Sequence, residues 1–379
     1  CLSLSLSACT EVLPPLDISA SGTSGPSEAS SRPAAASTTT LDGLMPLPLS
    51  LKGLYALRDP VVAPDGRSVV VVAYHGSKPT LLERPIVRTG EWTPIFTIPP
   101  FDSAQSKSSR NRADWFVGTP RFFPDGKHLV FEGTNPLATN HDVGLLTILD
   151  RATGNFAVVE VDDAQVARTP DVHPDGETVI FAACEELRVG RVSGFGDQHI
   201  QTRAVLRLSH VEGAHSRVCT VHRPRFSRDG KRVVFEVIGR HLAVEESERY
   251  GVPSPINDGD ALIEPWIMNT DGSAVRRLID NDAYAALGGR LQDGPGTAPD
   301  FSPDGQWVVF AHGSRIAMVS VEGKRASHLR APGAHAEGNA GLIKGAAPGF
   351  TPDGRRVVLA RKVSGRTPQN LPEITVVDW

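Results

Sequence analysis

Six times along this 379-residue chain a proline stands five residues ahead of an Asp-Gly pair, and a run of Val, Ile, Leu or Phe follows. The six segments align without gaps: PVVAPDGRSVVV (60–71), PRFFPDGKHLVF (120–131), PDVHPDGETVIF (170–181), PRFSRDGKRVVF (224–235), PDFSPDGQWVVF (299–310) and PGFTPDGRRVVL (348–359). Self-similarity on this scale marks a repeat architecture, in which each unit leaves faces that only its neighbours can cover. The chemistry of the unit is readable. The leading proline suits a strand entrance, where no ladder N–H is required. A short strand follows, with Phe122, Val172, Phe226, Phe301 or Phe350 as its large residue. The aspartates Asp65, Asp125, Asp175, Asp229, Asp304 and Asp353 then bond the backbone of a tight turn, and the following glycine supplies positive φ. The apolar run after the turn is that of a strand buried on both faces. Each unit therefore predicts a hairpin of two inner strands.

Outer strands follow each hairpin. WIMNTDGSAVRRL (266–278) is the clearest pair, with weaker versions at 146–161 and 316–329. Units about 50–75 residues apart hold four strands each. The expected fold is an all-β, six-bladed β-propeller of four-stranded antiparallel blades over residues 44–379. The last unit ends on ITVVDW (374–379), its third strand, so residues 44–55 are expected to close the ring beside it.

The pattern P-x-F-S-P-D-G-x-x-V-V-F, followed by M-N-x-D-G-S-x-x-R-R-L, resembles the propeller repeat of the TolB family, periplasmic proteins of the Tol–Pal envelope system. Related repeats occur in propellers of prolyl-oligopeptidase-like peptidases. The resemblance covers about residues 45–379 and implies the fold; the repeated residues are structural and do not fix a function. TolB's separate N-terminal α/β domain has no counterpart, because a low-complexity segment stands in that place.

That segment, residues 10–43, is rich in Ser, Thr, Ala, Pro and Gly and lacks apolar periodicity, so it reads as a disordered tether. Residues 1–9 read as a signal-peptide remnant. Leu6-Ser7-Ala8-Cys9 is similar to a bacterial lipobox, with Cys9 the lipidated residue; the alternative is Cys1. The implied setting is the periplasm or an outer-membrane surface in the bacterial cell envelope, with a protein partner there. No run of about 20 apolar residues is present to span a membrane. With 39 basic and 43 acidic residues there is no basic stripe for nucleic acid.

Links between second and third strands, such as 132–144 and 239–264, are long, as are fourth-to-first links such as 99–118, 209–222, 280–296 and 331–346. Alternating strand direction places both kinds on one face, opposite the Asp-Gly hairpins, and the partner is expected there. His141, His215, His241 and His335 are the candidate residues of those loops, with His210 and His222 nearby. No H-x-x-x-H spacing is present, so no metal site is expected. Asn269-Thr270-Asp271-Gly272-Ser273 superficially resembles a calcium loop but lacks the full ligand pattern, and no cofactor is expected. Cys184 and Cys219 are candidates for a disulfide. No C-x-x-C and no G-x-S-x-G elbow occurs. These readings favour a non-catalytic interaction or scaffold protein. The alternative is a carbohydrate- or peptide-acting hydrolase or lyase with its site in the axial pocket of the long-loop face.

Overall fold

The computed structural model describes residues 54–75, 78–86, 91–97, 117–134, 144–161, 167–196, 198–208, 220–240, 261–279, 283, 286–287, 298–312, 315–329, 347–362 and 372–378. Nearly all of them lie in antiparallel sheets, one for each repeat. The first holds β1 (Leu54–Val62), β2 (Ser68–His75), β3 (Lys78–Pro85) and β4 (Thr93–Thr97) in simple order. The second holds β5 (Val117–Phe122), β6 (His128–Thr134), β7 (Gly144–Asp150) and β8 (Phe156–Val161). The third holds β9 (Arg168–Val172), β10 (Thr178–Ala183), β11 (Glu186–Arg191) and β13 (Thr202–Arg207). Before β13, the short β12 (Gln198–Ile200) leaves its own unit and pairs in parallel with β8, covering that edge of the second sheet. The fourth sheet is β14 (Thr220–Phe226), β15 (Arg232–Arg240), β16 (Ala261–Asn269) and β17 (Arg276–Arg277). The fifth is β18 (Asp300–Phe301), β19 (Trp307–His312), β20 (Arg315–Ser320) and β21 (Ala326–Leu329). The sixth is β22 (Gly349–Phe350), β23 (Arg356–Lys362) and β24 (Pro372–Asp378).

This is an all-β propeller of four-stranded antiparallel blades. Two sheets depart from four strands: the second gains β12 as a fifth, and the sixth has three among the described residues. Of the segment expected to close the ring, residues 44–53 lie outside the described residues. Leu54 and Tyr55 open β1, where Leu54 pairs with His75 of β2 rather than with β24. Packing joins the sixth sheet to the first: Val358, Ala360 and Ile374 share a core with Leu57, Val69, Val71 and Leu82.

The hairpin strands show why the repeat reads as an unbroken apolar run. In β15, Val233 and Phe235 pack against Ile180 and Leu187 of the third sheet. Val234, between them, packs against Val308 and Phe310 of the fifth. The period-2 alternation of a strand thus serves two interfaces at once. Phe131, Phe181, Phe235 and Phe310 stand at the same repeat position and are fully buried. Truncating one to Ala would cost about 3–5 kcal/mol.

The turns follow the sequence chemistry. Asp65, Asp125, Asp175, Asp229, Asp304 and Asp353 each accept, through Oδ1, the amide two residues on, at 2.8–3.1 Å. The glycine after each has φ between 66° and 74°, a region open to Gly without steric cost.

Candidate functional site: the axial channel

The residue before the repeat proline adopts an unusual backbone in five of the six units. Asp59, Thr119, Thr169, Arg223 and Ala298 have φ between 39° and 49°. Left-handed geometry costs a non-glycine residue about 1–2 kcal/mol. Register shifts between Arg58 and Val61, Gly118 and Arg121, and His222 and Arg225 mark these positions as bulges of the innermost strand. The bulge turns one amide toward the preceding blade. Thr119 N–H donates to Asp59 Oδ2 (3.5 Å), Thr169 N–H to Glu132 Oε2 (3.1 Å) and Arg223 N–H to Thr169 Oγ1 (2.9 Å). Ala298 N–H donates to Glu236 Oε1. The strain is therefore offset by a series of blade-to-blade bonds.

Side chains of this tier reach across the axis. Arg223 belongs to the fourth sheet and Asp59 to the first, yet Nη2 and Oδ1 lie 3.3 Å apart. Arg223 Nη1 lies 3.8 Å from Glu236 Oε1. Burial works against the Arg223 charge, but Asp59, Glu236 and Glu132 outweigh it and hold its pKa above the usual value. Glu132, on β6, is deeply buried. Desolvation raises its pKa to about 7, against the opposing pull of the Thr169 amide and Arg168. Arg168 Nε is 3.7 Å away. His222 is held below its usual pKa by burial, which Glu236 only partly opposes.

A second tier lies closer to the hairpins, at the residue after each repeat proline. In chain order it reads Val61, Arg121, Asp171, Arg225, Asp300, Gly349. Charge alternates over four consecutive blades. Arg121 Nε lies 3.7 Å from Asp171 Oδ1. Asp171 Oδ2 accepts Phe226 N–H at 2.8 Å, and Asp300 Oδ2 accepts Phe350 N–H at 3.3 Å, again binding one blade to the one before it. Arg225 Nη1 donates to the carbonyls of Pro224 (2.6 Å) and Pro170 (3.4 Å). Burial, then Arg121, lowers the Arg225 pKa to about 9. Burial raises Asp171 and Asp300, opposed by both arginines.

A cavity of about 240 Å³ opens onto this tier from the hairpin face. Phe226, Phe301 and Phe350 form walls, Pro64, Pro303 and Pro352 the rim, and Asp300 lines it. The expectation of a partner concerned the other, long-loop face. The long loops that prompted that expectation are mostly outside the described residues, as are His141, His215, His241, His335, Cys219, Cys1 and Cys9. Cys184 is exposed, with a free thiol, at the β10–β11 turn. Among the described residues no group of three His, Cys, Asp or Glu side chains is placed to hold a metal ion.

The axial residues were within reach of the sequence. Reading the aligned repeats by column, twelve places after the proline, gives Val72, Glu132, Ala182, Glu236, Ala311 and Ala360. Two glutamates in a column otherwise small and apolar are the signal.

No family model matches the chain, and no curated protein sequence matches it. Among solved structures it is similar to TolB from Acinetobacter baumannii, at 17% identity and TM-score 0.47, over 73% of this chain and 55% of that one. It is also similar to an oligogalacturonate lyase in complex with manganese, at 14% identity and TM-score 0.47, over 84% and 76%. A chain of the nidogen–laminin complex matches at 10% identity and TM-score 0.48, over 86% and 97%. The chain thus spans about half the length of the Acinetobacter TolB. Likenesses this distant decide nothing about activity or partner. The propeller assignment rests on strand order and on packing between sheets.

Proposed function

We propose that this chain is a non-catalytic interaction propeller of the bacterial cell envelope, an accessory subunit tethered by a lipid on Cys9 or Cys1. In this reading the six sheets form a closed six-bladed ring, with residues 44–55 beside β24. One observation carries the non-catalytic part: the ionic groups of the axis are engaged with one another and with backbone amides of the next blade. Arg223 bridges Asp59 and Glu236, and Glu132 accepts the Thr169 amide. Such groups bolt blades together. The envelope setting is supported by Leu6-Ser7-Ala8-Cys9 ahead of the Ser/Thr/Ala/Pro tract. The partner docks on the hairpin face, where the cavity opens.

The test is a pull-down from native membranes in mild detergent, with intact-mass measurement of the N-terminus. The reading predicts one reproducible partner and an acyl mass increment. Recovery of an unacylated protein alone overturns it. For ring closure, β24 amides should exchange slowly in the full chain and fast in a chain beginning at Leu54.

A second reading is favoured by Glu132. A buried carboxyl titrating near 7 is the kind of group that acid–base chemistry uses. It faces the long-loop end of the axis, where a hydrolase or lyase site was expected. Turnover of an oligosaccharide or peptide that is lost in Glu132→Gln, with folding intact, would establish it.

A further inference from the structure

The alternation of the hairpin-side tier stops short. Asp171 stands between Arg121 and Arg225, one blade to either side. Asp300 has Arg225 on one side and Gly349 on the other, where continued alternation would place a cation. Gly349 supplies no side chain there, and the backbone passes close enough that a Cβ would lie 3.2 Å from Asp300 Oδ2, a tight contact. The next residue of the tier, Val61, carries no charge either. The cavity opens at this gap, over the fourth, fifth, sixth and first sheets. Asp300 is half-buried and makes no ion pair within 4 Å among the described residues.

We infer that the gap is a socket for a basic side chain, lysine or arginine, of a protein partner, with Asp300 as its counter-ion. The inference rests on the docking face given above and names what enters it. The guest ammonium or guanidinium takes the place beside Asp300 that Arg121 takes beside Asp171. Its aliphatic stem lies along Phe226, Phe350 and the Pro64 and Pro352 rings. Aromatic walls suit a cation, and one of them already carries one: the Arg232 guanidinium lies 6.0 Å from the Phe301 ring centre. A long side chain fits a cavity of about 240 Å³. Arg228 also lines the mouth, but its Nη1 donates to the Pro352 carbonyl at 2.9 Å, which keeps it along the rim. There it faces the acidic or carbonyl groups flanking the basic residue. Burial raises the Asp300 pKa, and a guest cation would oppose that shift, as Arg121 and Arg225 already do in part.

The probe is the capped tripeptide acetyl-Ala-Lys-Ala-amide, titrated into the full chain by NMR or calorimetry, against its norleucine counterpart. Saturable binding of the lysine peptide is expected, with the norleucine peptide about 10- to 100-fold weaker, as for loss of a charge-assisted bond. Asp300→Asn should lower lysine-peptide affinity by a similar factor. Gly349→Arg, which fills the gap from within, should abolish binding, and it decides the matter if Asp300→Asn does not fold. Equal affinity for the two peptides, or binding unaffected by both substitutions, overturns the socket and leaves the membrane pull-down result standing. Lysine-selective binding lost in the variants establishes the socket even where the pull-down recovers no partner.

Discussion

The two tiers of the axis use the same residue types to different ends. On the long-loop side, Arg223 reaches from the fourth sheet to the first and gathers three carboxyl groups around one cation. On the hairpin side, two arginines and two aspartates alternate, and the series is interrupted at Gly349 and Val61. The first tier is a bolt: removing Arg223 strands Asp59 and Glu236, while Glu132 keeps Arg168. The second is a chain with an open end. Neighbouring positions of one repeat can therefore hold the ring together and leave room for a guest.

The largest expected effect tests the bolt. Arg223→Met should destabilise by about 3–5 kcal/mol, the range for orphaning buried charges. Arg121→Met should cost less, because Asp171 and Asp300 retain Arg225. Urea midpoints of the two variants check this, and equal losses would erase the distinction between tiers.

The next effect is one of pH. Glu132 titrates near 7 when folded, against 4.5 as its ordinary value. The folded protein therefore holds this proton more tightly than the unfolded chain. The resulting stability is complete below pH 4.5 and is lost as pH rises through 7. At 1.36 kcal/mol per unit the whole effect is about 3 kcal/mol. Urea midpoints from pH 4 to 8 should fall more steeply for the wild type than for Glu132→Gln. Parallel curves would show that Glu132 is charged throughout, which would also remove the support for the enzymatic reading.

The fold was far more legible in the sequence than the site, and the residues show why. Proline, Asp-Gly and a Val/Phe run act within about a dozen residues, so their meaning survives in one dimension. The pairing of Asp59 with Arg223 joins residues 164 apart. It exists only because the fold brings the first and fourth sheets together at the axis. The third strand of the last unit was readable, and the incomplete sixth sheet follows from it. The departure of β12 to the second sheet was not, since Gln198–Ile200 carries no local signal for a parallel pairing outside its own unit. The cavity of the hairpin face went unread because loop length drew attention to the other face. Its lining comes instead from the turn prolines and strand phenylalanines of the repeat itself, residues whose regularity made them look purely structural.

The smallest effect concerns the turns, which tie the hairpin ends of both tiers. Asp65 Oδ1 accepts the Arg67 amide at 2.9 Å. Asp353 Oδ1 accepts the Arg355 amide at 3.0 Å and also the Thr351 hydroxyl at 2.5 Å. Thr351 in turn accepts the Arg356 amide at 3.1 Å, so the last turn is a small network, as are those at Ser227 and Ser302. The first three units place Ala63, Phe123 and His173 at that position. Asp65→Ala should cost about 1 kcal/mol, the net worth of one bond, and Asp353→Ala roughly twice that. The two turns belong to separate units and share no hydrogen-bonding group, so the double variant should show the sum within about 0.5 kcal/mol. Coupling beyond that would mean that the turns act through the socket lined by Pro64 and Pro352, so that the hairpin tier moves as one body and not as six independent ties.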